Sequence, residues 1–142
     1  TDVRNFGAIA RTAECTGVQA IVIPDKDSVS VTSDAIKTSA GALNKIPVCK
    51  VQDLSSVIHF LKESGIQVIA ATEKTDNLVY TVDMTLPTAI ILGSEEDGVS
   101  LRLLSDADIK AKIPMTGSIS SLNVAVSAGI MLYELVRQRL NE

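Results

Sequence analysis

A chain of 142 residues with a formal charge of −4, 46% apolar and only 3% aromatic residues has the length for one core and must build it from Val, Ile, Leu and Ala. No apolar run approaches the roughly 20 residues that span a bilayer, and the N-terminus lacks the basic-then-apolar layout of a signal peptide, so a cytosolic protein without a membrane partner is expected. The acidic balance excludes a polyanion binder that uses its whole surface, although a local basic face remains compatible with it.

Thr1 stands only a few residues before a helical pattern and is not a methionine, so residues 1–142 read as one domain excised from a longer protein. The first element opens with Asn5-Phe6-Gly7-Ala8-Ile9-Ala10-Arg11-Thr12-Ala13. Asn5 and Arg11 face one pocket only if a turn at Gly7 folds the loop back over the helix start. Arg11 would then offer a planar fork of donors suited to phosphate. An N-cap followed by a surface arginine is the plainer alternative.

Short β-branched runs predict strands over Ala20–Ile23 and Pro47–Val51. Cys15 and Cys49 are too few for a disulfide framework and lack zinc-site spacing, so both read as buried thiols in a reducing compartment. Leu54, Val57, Ile58 and Leu61 share one helical face, with Asp53 as N-cap and Gly65 as stop. His59, the sole histidine, lies in that helix without a metal-ligand pattern and is expected at or near the surface, so no metal site is expected.

Further strands are predicted over Gln67–Ala71, Thr88–Leu92 and Ile109–Ile113. The fourth runs into Gly93-Ser94-Glu95-Glu96-Asp97-Gly98-Val99. Its glycine spacing resembles a phosphate loop, but Val99-Ser100 stands where lysine and a hydroxyl residue would be needed. Three consecutive acids would repel a pyrophosphate, so a cationic or neutral ligand fits better than a dinucleotide. A solvated acidic turn is the structural alternative.

After the last strand comes Ile113-Pro114-Met115-Thr116-Gly117-Ser118-Ile119-Ser120-Ser121-Leu122-Asn123-Val124-Ala125-Val126-Ser127. Ser121 and Asn123 fall at a helix start, where free N–H groups and capping side chains gather. The helix carries Leu122, Val126, Ile130, Tyr133, Val136 and Leu140 at three- to four-residue spacing and ends in Arg137 and Arg139. Gly129 inside it is expected to mark a close packing contact. Alternating strands and helices predict an α/β domain with a mainly parallel sheet, whose ligand would sit outside the carboxyl ends of the strands.

The segments N-F-G-A-I-A-R-T-A, I-I-L-G-S-E-E-D-G-V and I-P-M-T-G-S-I-S-S-L-N-V-A-V-S resemble, in order and spacing, the three signature motifs of the SpoU (TrmH) family of RNA 2′-O-methyltransferases in the SPOUT superfamily. Ala35-Ile36-Lys37-Thr38-Ser39-Ala40-Gly41-Ala42 also resembles a stretch common in members that act on ribosomal RNA. The resemblance covers essentially the whole chain.

It implies an α/β fold with a C-terminal deep trefoil knot, S-adenosylmethionine as cofactor, RNA as partner, ribosomal RNA favoured over transfer RNA, and a homodimer with the active site near the interface. The implied cofactor loops are Ala70–Thr72, Leu92–Gly98, Ile113–Met115 and Ser121–Val126. The implied contacts are Ala71, Thr72, Leu92, Gly93, Glu95, Gly98, Ile113, Met115, Ser121, Leu122 and Val126, with Gly93, Ile113 and Leu122 foremost. The implied catalytic set is Asn5, Arg11, Glu95, Ser121 and Asn123, and Lys37 is a lesser candidate for RNA contact. The excised segment would then be an N-terminal extension or RNA-binding domain. Two competing readings are a catalytically silent module with the same fold and a Rossmann-type nucleotide enzyme, which would need a G-x-G-x-x-G absent here.

Overall fold

In the computed structural model, which describes residues 3–25, 33–94 and 97–140, the apolar periodicities resolve into ten elements, grouped in two compact units, Thr1–Leu54 and Ser55–Glu142. The first unit holds α1 (Val3–Cys15), β1 (Ile21–Pro24), α2 (Ser33–Thr38) and β2 (Val48–Val51). The second holds nearly all of α3 (Leu54–Glu63), then β3 (Gln67–Ala71), β4 (Thr88–Ile91), α4 (Leu101–Asp106), β5 (Ile109–Ala111) and α5 (Val124–Leu140). All strand pairing is parallel, β1 with β2 in the first unit and β4-β3-β5 in the second.

Strand alternation governs the first unit. Ile21, Ile23 and Val48 turn inward onto Phe6 and Ala35, whereas Val22 and Cys49, paired in register, face out. Cys49 is therefore exposed, and so is Cys15 at the outer end of α1. The buried-thiol expectation is corrected for both: small apolar character did not decide their position, and the period of the element carrying each did.

Gly7 decides between the two readings of the first segment. Residues 3–15 form one continuous helix with no turn at Gly7. The glycine is there because α2 crosses at that point: a Cβ would lie 2.6 Å from the Ala35 carbonyl oxygen and 2.8 Å from Thr38 Cβ. The small residues of the Ala35–Ala42 stretch serve this contact. Ala35 and Ala42 are buried, and the buried Ser39 hydroxyl donates to the Ile36 carbonyl and accepts from the Leu43 N–H.

In the second unit β3 is central and almost wholly buried. Its core joins Ile69, Val79, Val82, Met84 and Ala111 to Met131 and Leu135 of α5. On the side of α3 and α4, Ser55 and His59 both reach Asp106, and Lys62 bonds the Asp106 carbonyl. Gly65 closes α3 at φ +83°. His59 is exposed at the surface, as expected.

The connection from β3 to β4 contains no α-helix. Residues 77–79 pair with Lys112 just past the end of β5, where Lys112 N–H donates to the Asn77 carbonyl and Val79 N–H to the Lys112 carbonyl, each at 2.8 Å. The chain then returns past the last turn of α5 before entering β4.

Candidate active site

Parallel pairing fixes where the loops of the second unit begin. Ala70 is level with Ile91, and Ala71 with Ala111. Adjacent strands lie about 4.8 Å apart, so the chain leaves β3, β4 and β5 within roughly 10 Å along one edge. Thr72 N–H extends the ladder by donating to the Ala111 carbonyl at 2.9 Å. Three of the predicted cofactor loops therefore open side by side at the carboxyl end of the sheet.

The loop after β4 is closed on itself. Ser94 and Gly98 exchange both backbone hydrogen bonds, at 3.0 and 3.2 Å, and Asp97 N–H donates to Ser94 Oγ. Gly98 has φ +68°, a conformation that favours glycine. Gly93 is held against this closure: a Cβ there would stand 2.1 Å from the Gly98 carbonyl carbon and 2.3 Å from Val99 N. The glycines thus shape backbone with no room for a side chain, while Val99 is buried and anchors the loop beside Ala70 and Leu104. Glu95 and Glu96 lie outside the described residues.

Helix α5 begins at Val124, later than the apolar spacing alone suggested, because Asn123 caps it: its Oδ1 accepts from the N–H groups of Ala125 and Val126 at 2.9 and 3.2 Å. That bond orients Asn123 through the first turn and leaves its side-chain oxygen engaged. Ser121, Leu122 and Val126 are exposed beside it.

A cleft of about 400 Å³ is lined by Glu73, Leu78, Lys112, Ile113, Pro114, Met115 and Ser120. It brings together the segment after β3, the segment after β5 and the approach to α5. Of the residues expected to touch a cofactor, Ile113 and Met115 line it directly, and Ser121 and Thr72 adjoin lining residues in sequence. Leu92, Gly93, Gly98, Leu122 and Val126 are not part of its wall. Sequence reasoning missed Glu73, Leu78, Lys112 and Ser120 as contacts. Glu73, Lys112 and Ser120 flank loops already singled out and could have been found by extending them one residue, whereas Leu78 carries no local signal.

In the first unit, Asn5 and Arg11 are six residues apart on a straight helix. At 100° per residue they point about 120° apart, so the turn at Gly7 that a shared pocket on this segment would require is not formed. Arg11 is exposed and Asn5 partly buried, and Lys37 is exposed on α2. Among the described residues no group of three or more His, Cys, Asp or Glu side chains is placed to hold a metal ion, and no helix is long and apolar enough to cross a membrane.

Parallel three-stranded pairing with ligand-ready loops at its carboxyl edge defines an α/β domain, and similarity to known proteins makes the class specific. Residues 1–133 match the SpoU rRNA Methylase family, and the chain belongs to that family. It is 36% identical over 139 residues to the 23S rRNA (guanosine-2′-O-)-methyltransferase RlmB of Pseudomonas aeruginosa, covering 98% of this chain and 56% of the relative. Its fold is similar to that of the SpoU methyltransferase AviRb from Streptomyces viridochromogenes in complex with AdoMet, with a TM-score of 0.92 and 30% identity over 100% of this chain and 58% of that one. It is also similar to the A. aeolicus TrmH/SpoU tRNA modifying enzyme, with a TM-score of 0.90, 31% identity and coverage of 99% and 72%. The chain spans about half the length of the curated relative it matches.

Proposed function

We propose that this chain is the catalytic domain of an RNA (ribose-2′-O)-methyltransferase that uses S-adenosylmethionine, acting on structured RNA, with ribosomal RNA favoured over transfer RNA, in the cytoplasm. The observation that carries the reading is the alignment of three strand ends of the second unit, which puts a backbone-shaped glycine loop and an apolar cleft at one sheet edge. The cleft volume falls within the about 300–1,000 Å³ usual for small ligands. Its lining also suits this cofactor: Leu78, Ile113 and Met115 offer apolar surface for an adenine, and Glu73 and Lys112 offer opposite charges for an amino-acid tail. Main-chain groups after Ala71 and Leu92 would read the base edge, with Gly93 and Gly98 giving the loop its shape. Ser121, Leu122 and Val126 would close the opposite side.

S-adenosylmethionine supplies an electrophilic methyl on a sulfonium. The chain must hold the ribose in line with it and stabilise the oxygen as its proton leaves. Arg11 suits the second task as a clamp on the adjacent phosphate and a partner for developing alkoxide charge. A guanidinium is a donor-only group and a poor base, so the hydroxyl proton would pass to solvent water and not to Arg11. Glu95, the first acid of the second motif, would offer negative charge to the sulfonium, and Asn5, Ser121 and Asn123 are the remaining polar candidates, Asn123 acting as an oriented cap. The favour for ribosomal RNA rests on the Ala35–Ala42 stretch, whose small residues the α1–α2 contact also explains, so Lys37 is the residue of that stretch to test.

Two architectural features belong to the same proposal. The chain from β3 reaches beyond β5 and returns past the end of α5, which supports a deep trefoil knot around the cofactor loops. Val126, Gly129, Tyr133 and Leu140 fall on one stripe of α5, and the three large ones are exposed, as is Leu122 just before the helix, which supports a homodimer with the site near its interface.

The test is transfer of radiolabelled methyl from S-adenosylmethionine to unmodified ribosomal and transfer RNA, followed by mapping of the modified ribose. Arg11→Ala is expected to lower turnover by at least about 100-fold, the scale of one lost oxyanion donor, with cofactor affinity nearly intact. Normal turnover in that variant would remove Arg11 from the mechanism, and absence of transfer to either RNA by the intact protein would leave the silent-module reading in its place.

A further inference from the structure

The return segment before β4 has no strand beside it, yet its backbone groups are paired. Val82 and Met84 are buried, and their polar groups must find partners inside the protein. The partners come from the last turn of α5. Gln138 Nε2 donates to the Val82 carbonyl at 2.8 Å, and Gln138 Oε1 accepts from Met84 N–H at 2.7 Å. Arg139 Nε donates to the Met84 carbonyl at 3.0 Å, and its Nη2 to the Leu86 carbonyl at 2.8 Å.

The carbonyls engaged belong to alternate residues, 82, 84 and 86, and the Met84 N–H is bonded from the same helix. A primary amide offers one donor and one acceptor, as a peptide group does, so Gln138 bonds this segment as a neighbouring strand would. Two consecutive helical side chains thus replace an absent β-strand. The segment they hold continues back through Val79 and Leu78, where it is bonded to Lys112, and supplies Leu78 and Glu73 to the cleft.

We propose that Gln138 and Arg139 are positioning residues for the cofactor cleft: by fixing residues 82–86 they hold the Leu78 and Glu73 wall at the separation a bound cofactor needs. The inference rests on the assignment of that cleft to S-adenosylmethionine. Neither residue touches the cleft, so their effect falls on cofactor affinity and not on the methyl-transfer step.

The experiment compares intact wild-type protein with Gln138→Met, Arg139→Ala and the milder Arg139→Lys. It reads S-adenosylmethionine affinity by calorimetry, amide hydrogen exchange at Val79, Met84 and Lys112, and kcat and KM for the cofactor. Loss of the pair of Gln138 bonds is expected to weaken affinity on the order of tenfold. Exchange at Met84, Val79 and Lys112 should accelerate, KM should rise in step and kcat should hold within about twofold. Arg139→Lys should fall between wild type and Arg139→Ala, and it keeps the test valid if Gln138→Met fails to fold. Faster exchange at Met84 with unchanged cofactor affinity would overturn the proposal and leave a purely structural tie, and a fall in kcat at constant KM would overturn it as well. A wild-type protein that binds no S-adenosylmethionine would instead defeat the assignment of the cleft itself, and the inference with it.

Discussion

At the scale of single residues, the glycines divide by what their missing side chain permits. Gly7 lets two helices touch and Gly93 lets a loop close on itself, whereas Gly129 has no atom of the described residues within 4 Å of where a Cβ would stand. The close packing contact expected at Gly129 is not made within the described residues, and its open position on the exposed stripe of α5 is consistent with a surface that another molecule approaches. Gly93 gives the sharper prediction. Because a Cβ would sit 2.1 Å from the backbone of Gly98, Gly93→Ala forces the 93–98 closure apart and should destabilise the protein by about 1–3 kcal/mol, the usual range for overpacking. Cofactor binding should be lost with the loop geometry, since Ser94 and Gly98 could not then exchange both hydrogen bonds. Denaturant unfolding and calorimetry on the same preparation measure the two effects, and a variant with wild-type stability and affinity would show that the loop is softer than its geometry implies.

At the scale of elements, α5 joins the most distant parts of the second unit, and its inner face carries one charged residue. Glu134 is buried among Ala128, Met131 and Leu135, and its carboxylate accepts from Arg137 Nε at 2.8 Å. The hydrogen bond from Arg137 is the main cause holding the Glu134 carboxyl below its ordinary value, against burial, which acts the other way. A depressed carboxylate contributes stability that is complete above the unfolded-state pKa, about 4.3 for glutamate, and is lost as pH falls through the lower folded value. Unfolding midpoints followed from pH 7 to pH 3 should accordingly drop more steeply for wild type below about pH 4.3 than for Glu134→Gln, with wild type the more stable above that value. Parallel curves would exclude Glu134 as a source of the acid sensitivity.

Elements of this kind show which parts of the fold could be read in advance. Strands β1 to β5 were legible to within one or two residues because short β-branched runs bounded by turn residues say little else, and α3 because a cap, an apolar face and a glycine stop agree. The first helix was left with two readings because a glycine gives the same signal in a turn and at a close helix crossing. Asn123 was placed at a helix start by its type, and its capping bonds account for that position. The cleft wall at Leu78 and the ties from Gln138 and Arg139 to residues 82–86 were invisible because the groups that meet are more than thirty positions apart, and at least one partner in each bond is backbone, which leaves no mark on composition.

At the scale of the whole molecule, the unresolved balance of α5 is its outer face. Val126, Tyr133 and Leu140 repeat every seven residues along α5 and are 50%, 53% and 77% exposed, forming an apolar stripe about 21 Å long at 1.5 Å per residue. Scattered surface leucines are ordinary, but an aligned stripe on the helix that also leads into the candidate site is the pattern of a contact surface. A second copy of the chain fits it, since a two-fold axis brings the same patch against itself and Gly129 within it would allow close approach. Tyr133→Asp puts a charge in the middle of that surface and, Tyr133 being half exposed in the single chain, leaves the core untouched. It should convert a sedimenting dimer to monomer, with methyl transfer falling together with dimer content across a dilution series. Should the variant stay dimeric, or should the wild type sediment as a monomer at the concentrations where it transfers methyl groups, the stripe has another use and the active site is completed within one chain.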